Sequence, residues 1–123
     1  MKTILVVDDS PLIRKAIRRI VEPLGFRVDE AGNGCEALDY FENGGQPDAV
    51  LLDVEMPEMD GISFLKILRS RHELAQPPVV MCSTHTEIAL ITEAIESGAD
   101  EYVMKPFDSS ILGAKLEGIG LVA

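Results

Sequence analysis

Six polar side chains able to support metal or phosphate chemistry stand at or just beyond the ends of apolar runs in this 123-residue chain. They are Asp8, Asp9, Asp53, Ser83, Thr84 and Lys105. Three carboxylates brought together repel one another and resist ionisation unless a positive charge lies between them. Oxygen ligands without imidazole or thiolate favour Mg²⁺, which keeps several waters and shares its site with phosphate.

Asp53 is the best-placed nucleophile of this set, because it directly follows the apolar run 49–52. A carboxylate can attack phosphorus and carry the phosphoryl group as an acyl phosphate. Lys105 offers a compact positive charge to one phosphate oxygen, and a hydroxyl from Ser83 or Thr84 can donate to another. The pattern predicts in-line phosphoryl transfer to Asp53.

The elements that would position these residues alternate in type along the chain. Amphipathic segments separate five β-rich runs, which are residues 3–8, 26–31, 48–53, 78–83 and 101–104. Ser10 followed by Pro11 predicts the start of the first helix, and Gly25 predicts its end. The later helices are predicted over 34–43, from Asp60-Gly61, from Thr86-Glu87 to Gly98, and from Asp108 or Ser109.

Helical spacing predicts one buried face on each helix. In the first helix this face comprises Leu12, Ile13, Ala16, Ile17, Ile20 and Val21. In the fourth it comprises Ile88, Ile91, Ala94 and Ile95. The last helix would bury Leu112, Leu116 and Ile119, although Gly113 and Gly118 weaken it.

Five strands alternating with five helices indicate βαβ units with parallel pairing and right-handed crossovers. The apolar strands predict a sheet covered on both faces, hence an open three-layer α/β sandwich. Ligands of such sheets bind outside the carboxyl ends of the strands. The six polar residues are therefore expected at one rim of the sheet.

Composition narrows the class of protein. The chain is 46% hydrophobic with a formal net charge of -10, which disfavours nucleic-acid phosphates. No apolar run approaches the ~20 residues that span a membrane, and the N-terminus lacks the features of a signal peptide. Cys35 and Cys82 have no metal-like spacing, so free thiols are expected. We predict one cytoplasmic, monomeric domain over residues 1–123.

The motifs ILVVDDS, LLDVEMPEMDG and GADEYVMKPF, in this order and spacing, resemble the receiver domain of two-component response regulators. The similarity covers the whole chain, and because nothing follows the fifth predicted helix, the sequence resembles a stand-alone receiver of the chemotaxis CheY type. It implies a flavodoxin-like or CheY-like fold with strand order 2-1-3-4-5 and no output domain. It also implies a switch rather than an enzyme, which assists only its own phosphorylation and dephosphorylation.

The resemblance implies a role for each matched residue. Asp53 would be the phosphoacceptor, Lys105 would pair with the phosphoryl group, and Ser83 would move to hydrogen-bond it. Asp9, Asp53 and the backbone carbonyl of Glu55 would ligate Mg²⁺, with Asp8 acting through water.

Further positions implied by the resemblance surround this centre. Lys105-Pro106 would be a cis peptide, and Tyr102 would be an aromatic switch whose ring turns inward as Ser83 moves. Glu55 and His85 would set the lifetime of the phosphorylated state, and Thr84 would narrow access to phosphorus.

The implied partners are a histidine kinase or histidine phosphotransfer protein and a downstream protein target. The phosphodonor would dock near helix one, where Arg14, Lys15, Arg18 and Arg19 form a basic run; the alternative is a solvated face balanced by nearby acids. The target would bind a face of helix four, strand five and helix five, to which Ile111 and Leu121-Val122 contribute.

Three other functions remain open at this point. A phosphate sink or relay would use the same site without a direct target. A Mg²⁺-dependent phosphohydrolase would place its nucleophile after the first strand, where this chain has DDS. A flavin binder would need a hydroxyl-rich phosphate loop there, whereas DDSPL is acidic and repels phosphate.

Overall fold

A five-stranded parallel sheet forms the centre of the structure, a computed structural model that describes residues 1–121. The strands are β1 (Thr3–Val7), β2 (Arg27–Ala31), β3 (Ala49–Asp53), β4 (Val79–Ser83) and β5 (Glu101–Met104). The helices are α1 (Pro11–Val21), α2 (Gly34–Glu42), α3 (Gly61–Ser70), α4 (Ile88–Glu96) and α5 (Ser109–Gly118). The order β2-β1-β3-β4-β5 confirms the predicted three-layer fold.

The sheet separates two apolar cores because successive side chains of a strand point to opposite faces. Leu5 and Val7 of β1 belong to the core that contains Phe64 of α3. Ile4 and Val6 belong to the core that contains Leu116 of α5. Helices α2, α3 and α4 contribute to the first core, and α1 and α5 contribute to the second.

The strand register brings the ends of the strands to one rim. Val7 pairs with Leu52, so Asp8 and Asp53 follow adjacent positions of β1 and β3. Ser83 pairs with Met104, so Lys105 begins the connection that leaves β5 beside the end of β4. Asp8, Asp53, Ser83 and Lys105 are therefore at one rim of the sheet.

Four helices begin at side chains that satisfy their free backbone N–H groups. Each cap accepts a hydrogen bond from the N–H three residues later, and the caps are Ser10, Asn33, Asp60 and Asp108. α4 begins at Glu87 without such a bond.

The prediction for helix one was wrong in two respects. The α-helix ends at Val21, and a 3₁₀ turn over Glu22–Leu24 precedes Gly25, because Pro23 cannot continue α-helical hydrogen bonding. Leu12 was predicted to be buried but is 75% exposed. Ala16 is also exposed, so the buried face is narrower than its apolar spacing suggested.

The predicted inner face of helix four was wrong at Ile88 and Ile95 but right at Ala94. Ile88 is 80% exposed and Ile95 is 45% exposed, whereas Ala94 is fully buried and Leu90 packs against the core. Apolar residues occupy most sides of this helix, so periodicity alone could not identify the side that faces the sheet.

None of the helices described within residues 1–121 is both long enough and apolar enough to cross a bilayer.

Candidate functional site

A cavity of about 290 Å³ lies at the carboxyl ends of β3 and β4. Seven residues line it, and they are Asp9, Asp53, Glu55, Ser83, Thr84, His85 and Lys105. Every one of them was singled out from the sequence. Of the nine predicted site residues, Asp8 and Tyr102 are outside this lining, and each contacts a lining residue: Asp8 contacts Lys105, and Tyr102 contacts His85.

Asp8 is buried next to the cavity, and three of its polar atoms form hydrogen bonds with residues other than Lys105. Its backbone N–H donates to the Ala31 carbonyl at 3.1 Å, which continues the β1–β2 pairing. Its Oδ1 accepts from the Ser10 N–H at 2.9 Å, and its carbonyl accepts from Arg14 Nη1 at 2.6 Å. These contacts fix the start of the loop that carries Asp9.

Lys105 connects two of the carboxylates. Its Nζ donates to Asp8 Oδ2 at 2.7 Å and to Asp53 Oδ1 at 3.2 Å. The Lys105 N–H also donates to the Ser83 carbonyl at 2.8 Å. The predicted cis peptide between Lys105 and Pro106 is present.

The pKa of Asp53 reflects both the burial of its carboxylate and the charges around it. Burial raises the Asp53 pKa, Lys105 opposes the rise, and the charges of Asp8 and Asp9 add to it. Burial acts to lower the pKa of Lys105, but its hydrogen bond to Asp8 and the charge of Asp53 outweigh burial, so that pKa is raised. The site therefore keeps Lys105 charged and favours an additional cation near Asp53.

The donor set fits a hard divalent cation. One carboxylate oxygen from each of Asp8, Asp9 and Asp53 lies within 4.8 Å of the others. All three donors are oxygens, and the set carries more negative charge than Lys105 balances, as Mg²⁺ sites require.

Ser83, His85 and Tyr102 form a hydrogen-bonded chain beside the cavity. The buried Ser83 Oγ accepts from the His85 N–H at 3.0 Å. The Tyr102 hydroxyl donates to the His85 carbonyl at 3.2 Å, while its ring packs against the core beneath α4. The predicted switch aromatic is therefore linked to the backbone two residues after Ser83.

Two carboxylates hold the His85 ring at the rim of the cavity. Nε2 contacts Glu55 Oε1, and Nδ1 is 3.3 Å from Glu87 Oε2. The hydrogen bond to Glu55 is the main cause of a raised His85 pKa, and burial opposes it only partly. The ring thus bridges the loops that follow β3 and β4.

The sequence did not identify Glu87 or Arg14 as parts of the site. Glu87 was predicted only as a helix start. Arg14 was assigned to a basic surface run, but its guanidinium binds the Asp8 carbonyl and Glu30. Arg14 and Arg18 are balanced by nearby acids, as the alternative held, whereas Lys15 and Arg19 are exposed.

The predicted target face is partly apolar and open to solvent. Ile88, Ile95, Met104 and Ile111 are exposed large hydrophobic residues of α4, β5 and α5. Leu121 packs against the core beside α5, and Val122 lies outside the described residues.

Comparison with known proteins identifies the family. The sequence model of the response regulator receiver domain matches residues 4–117. The chain belongs to the response regulator receiver domain family. Receiver domains are phosphoryl-accepting signalling switches of two-component systems, and this one is similar to CheY proteins.

Several characterised proteins are similar to this receiver domain. The chemotaxis protein CheY of Bacillus subtilis (strain 168) is 38% identical over 107 residues, covering 86% of this chain and 87% of that protein. The sensor histidine kinase CheAY of Helicobacter pylori is 36% identical over 122 residues, and the regulatory protein AtoC of Escherichia coli (strain K12) is 43% identical over 105 residues. The receiver domain spans 15% of the length of CheAY and 22% of AtoC.

The solved structure of Vibrio cholerae CheY4 at low pH superimposes with a TM-score of 0.88 and 31% sequence identity. The match covers 97% of this chain and 98% of that chain.

Proposed function

We propose that this receiver domain accepts a phosphoryl group on Asp53 from a phosphohistidine and thereby changes the surface of α4, β5 and α5 that a target protein reads. The observation that carries the proposal is the arrangement around Asp53. Its carboxylate lines a cavity of about 290 Å³, contacts Lys105 at 3.2 Å, and shares a cluster with Asp8 and Asp9.

The transfer forms one bond and breaks one bond. An Asp53 carboxylate oxygen attacks phosphorus, the bond from phosphorus to the donor imidazole nitrogen breaks, and the electron pair returns to the imidazole. Lys105 keeps Asp53 oriented before the reaction and pairs with a phosphoryl oxygen afterwards. The raised Lys105 pKa keeps this group protonated at neutral pH.

Asp9, Asp53 and the Glu55 carbonyl would hold Mg²⁺ directly, and Asp8 would hold it through water. When bound, Mg²⁺ neutralises negative charge that would otherwise repel the incoming phosphate. Asp8 contributes separately through this chain's own contacts, since its Oδ2 holds Lys105 at 2.7 Å.

Ser83 and Tyr102 would carry the change to the target surface. A phosphoryl group carries roughly two negative charges and three acceptor oxygens, which favour rotation of the Ser83 hydroxyl from the His85 N–H toward phosphate. Tyr102 bonds the His85 carbonyl and packs against the core below α4, so movement of this loop changes its environment. A phosphate sink or relay would use the same transfer without this reading step.

The surface beside α1 suits the phosphodonor. An apolar groove of about 320 Å³ is lined by Ile13, Ala16, Ile17, Ile20, Thr84, Lys105, Pro106 and Phe107. Thr84 and Lys105 also line the reaction cavity, so the groove adjoins it. Lys15 and Arg19 are exposed on the same helix. A helix that presents phosphohistidine would bury apolar residues here while its acidic residues meet these two cations.

The central test is phosphorylation with acetyl phosphate and Mg²⁺, followed by intact mass. The parent should gain one alkali-labile phosphate and Asp53→Asn should gain none. Asp39→Asn, an exposed aspartate of α2, is the matched control and should behave as the parent does. Phosphate on the Asp53→Asn protein would contradict the assignment. Repeated turnover of phosphate esters would favour a hydrolase instead, and retention of flavin would favour a flavin binder.

The donor surface has a separate test. Lys15→Glu with Arg19→Glu should slow transfer from a phosphotransfer protein that phosphorylates the parent, because the variant repels its acids. Phosphorylation by acetyl phosphate should be unchanged. Equal slowing with both donors would contradict a docking role.

The prediction that no output domain accompanies residues 1–123 stays a prediction.

A further inference from the structure

Glu58 has an unusual backbone conformation in the loop 54–60 between β3 and α3. Its φ is 68°, and within residues 1–121 it is the one residue other than glycine with a positive φ. A side chain in this region crowds its own backbone, so the conformation persists where neighbouring structure imposes it. The contacts of Glu58 therefore identify what holds this loop.

The N-terminus of α2 contacts the loop at two consecutive residues. Asn33 Nδ2 donates to Glu58 Oε2 at 3.1 Å, and the Gly34 N–H donates to the Met59 carbonyl at 3.3 Å. The Asn33 Oδ1 accepts from the Glu36 N–H at 2.8 Å, which orients the amide toward Glu58. A β-carbon on Gly34 would lie 2.8 Å from the Met59 carbonyl oxygen, so glycine permits this close packing.

We propose that the Asn33–Glu58 hydrogen bond positions the loop that carries Glu55, and that it thereby strengthens Mg²⁺ binding. The inference rests on the proposed function, in which the Glu55 carbonyl is a metal ligand. The Gly61 N–H donates to the Val54 carbonyl at 2.9 Å, which closes the base of the loop. Glu55 thus lies between a fixed Val54 and a tethered Glu58, and both Asn33 and Glu58 are positioning residues.

The hydrogen bond from Asn33 explains why glutamate, rather than glycine, occupies position 58 despite its positive φ. Glycine would adopt the positive φ without crowding, but it could not accept the hydrogen bond from Asn33. Outer residues that orient metal ligands affect metal affinity without touching the ion. Glu58 therefore contributes the hydrogen bond at the cost of local strain.

The test measures Mg²⁺ dissociation constants by calorimetric titration of metal-free protein, with the unfolding midpoint of each variant recorded in parallel. Glu58→Ala removes the acceptor and should weaken Mg²⁺ binding about five-fold, since one exposed hydrogen bond is lost. Asn33→Ser keeps an N-cap oxygen but removes the amide donor, so it should weaken binding similarly. The double variant should be no weaker than either single variant, because both changes break one hydrogen bond.

Two further variants separate the tether from charge and from strain. Glu58→Gln keeps an acceptor without the charge and should bind Mg²⁺ within about two-fold of the parent. Glu58→Gly relieves the positive φ and should still lose affinity as Glu58→Ala does. If the Glu58→Ala variant folds poorly, the Glu58→Gly variant still tests the loss of the hydrogen-bond acceptor.

Each outcome decides between the tether and its alternatives. A Glu58→Gln protein as weak as Glu58→Ala would show a simple charge effect and overturn the tether, as would additive losses in the double variant. If the parent binds Mg²⁺ and the Glu58→Ala variant binds it with equal affinity, the tether is overturned. The proposed function would remain intact in that case. A parent without Mg²⁺ affinity would overturn the proposed function and this inference with it.

Discussion

Lys105 is shared unequally between Asp8 and Asp53, at 2.7 Å and 3.2 Å. The shorter contact is to the buried carboxylate, which has less access to water and depends more on its partner. Asp53 is held more loosely, and burial raises its pKa. This division is consistent with the proposed role of Asp53 as the phosphoacceptor, while Asp8 holds Lys105 at the site.

The Glu55–His85 contact closes one side of the cavity and is expected to slow loss of phosphate. Glu55→Asn and His85→Ala should each accelerate dephosphorylation about five-fold, a modest effect because the pair is exposed. Decay of the phosphorylated protein, followed by intact mass after donor removal, measures the rate. His72→Ala is the control, since His72 is exposed and does not line the cavity. Parental decay rates in both rim variants would refute this role.

The residues proposed to react could be grouped from the sequence because their types and their position at strand ends are both visible in it. Parallel strands end at one rim, so Asp53 and Lys105 had to approach each other once the strands were assigned. Arg14 and Glu87 escaped prediction for a different reason. Their contacts with Asp8 and His85 depend on how loops curve at the rim, and no local spacing encodes that distance.

At the scale of secondary structure, the junction of β3 and α3 depends on the absence of a side chain at Gly61. A β-carbon there would lie 2.0 Å from the Asp53 carbonyl oxygen, which belongs to the backbone and cannot turn away. Gly61→Ala should therefore lower the free energy of unfolding by at least about 2 kcal/mol in chemical denaturation. Gly113→Ala is the matched control in α5, where a β-carbon meets nothing within 4 Å. It should stabilise by about 0.5–1 kcal/mol, and an equal loss in both variants would contradict the argument.

The edge strand β2 is joined to α1 by Glu30, which accepts from Arg14 Nε and from Arg18 Nη2 at 2.7 Å each. The hydrogen bond from Arg18 is the main cause of a lowered Glu30 pKa. The Glu30 pKa is lower in the folded state than in the unfolded state. The ion pairs of Glu30 therefore stabilise the fold above pH 4.5, and this stabilisation is lost as pH falls through the folded-state pKa.

Glu30→Gln should therefore lower the free energy of unfolding by about 1 kcal/mol at pH 7, since the ion pairs are partly solvated. The difference from the parent should shrink below pH 4.5, where the parent also loses the charge. Urea denaturation across this pH range measures it. Glu96→Gln, an exposed change on α4, controls for net charge. A Glu30→Gln deficit that is constant with pH would contradict an ionic origin.

Helix boundaries and helix orientation were not equally predictable. Caps such as Ser10 and Asp108 act through a bond to the N–H three residues later, so their sequence position fixes the start of the helix. The orientation of α4 is set by which neighbours it meets. Ile88 and Ile95 are as apolar as core residues, yet they face solvent in the surface proposed for target binding.

For the whole molecule, strand polarity distinguishes the edges of the sheet better than the order of its interior strands. β2 and β5 carry exposed or half-buried residues, as edge strands do, whereas β3 and β4 are almost wholly buried. Nothing in the buried strands distinguishes which of them pair, because both consist of apolar residues packed on two faces. The order came from the resemblance to receiver domains, and the structure confirmed it.

The whole molecule carries a formal net charge of -10, and the cluster of Asp8, Asp9 and Asp53 concentrates part of it at one rim. A ligand that binds only the folded state stabilises it by about 1.4 kcal/mol at ten times its dissociation constant. Saturating Mg²⁺ should therefore raise the unfolding midpoint of the parent by about 5 °C in calorimetry, relative to NaCl of equal ionic strength.

Asp9→Asn should have two opposite effects on thermal stability, one in the absence of Mg²⁺ and one in its presence. Removing one charge relieves repulsion with Asp53, so the variant should unfold at a higher temperature than the parent when Mg²⁺ is absent. The same change removes a ligand, so the increase caused by Mg²⁺ should largely disappear. Asp39→Asn lowers the acidic charge equally at an exposed position of α2, and it should keep the full Mg²⁺ response. An equal response in all three proteins would place Mg²⁺ on the general acidic surface, because only binding at the rim depends on Asp9.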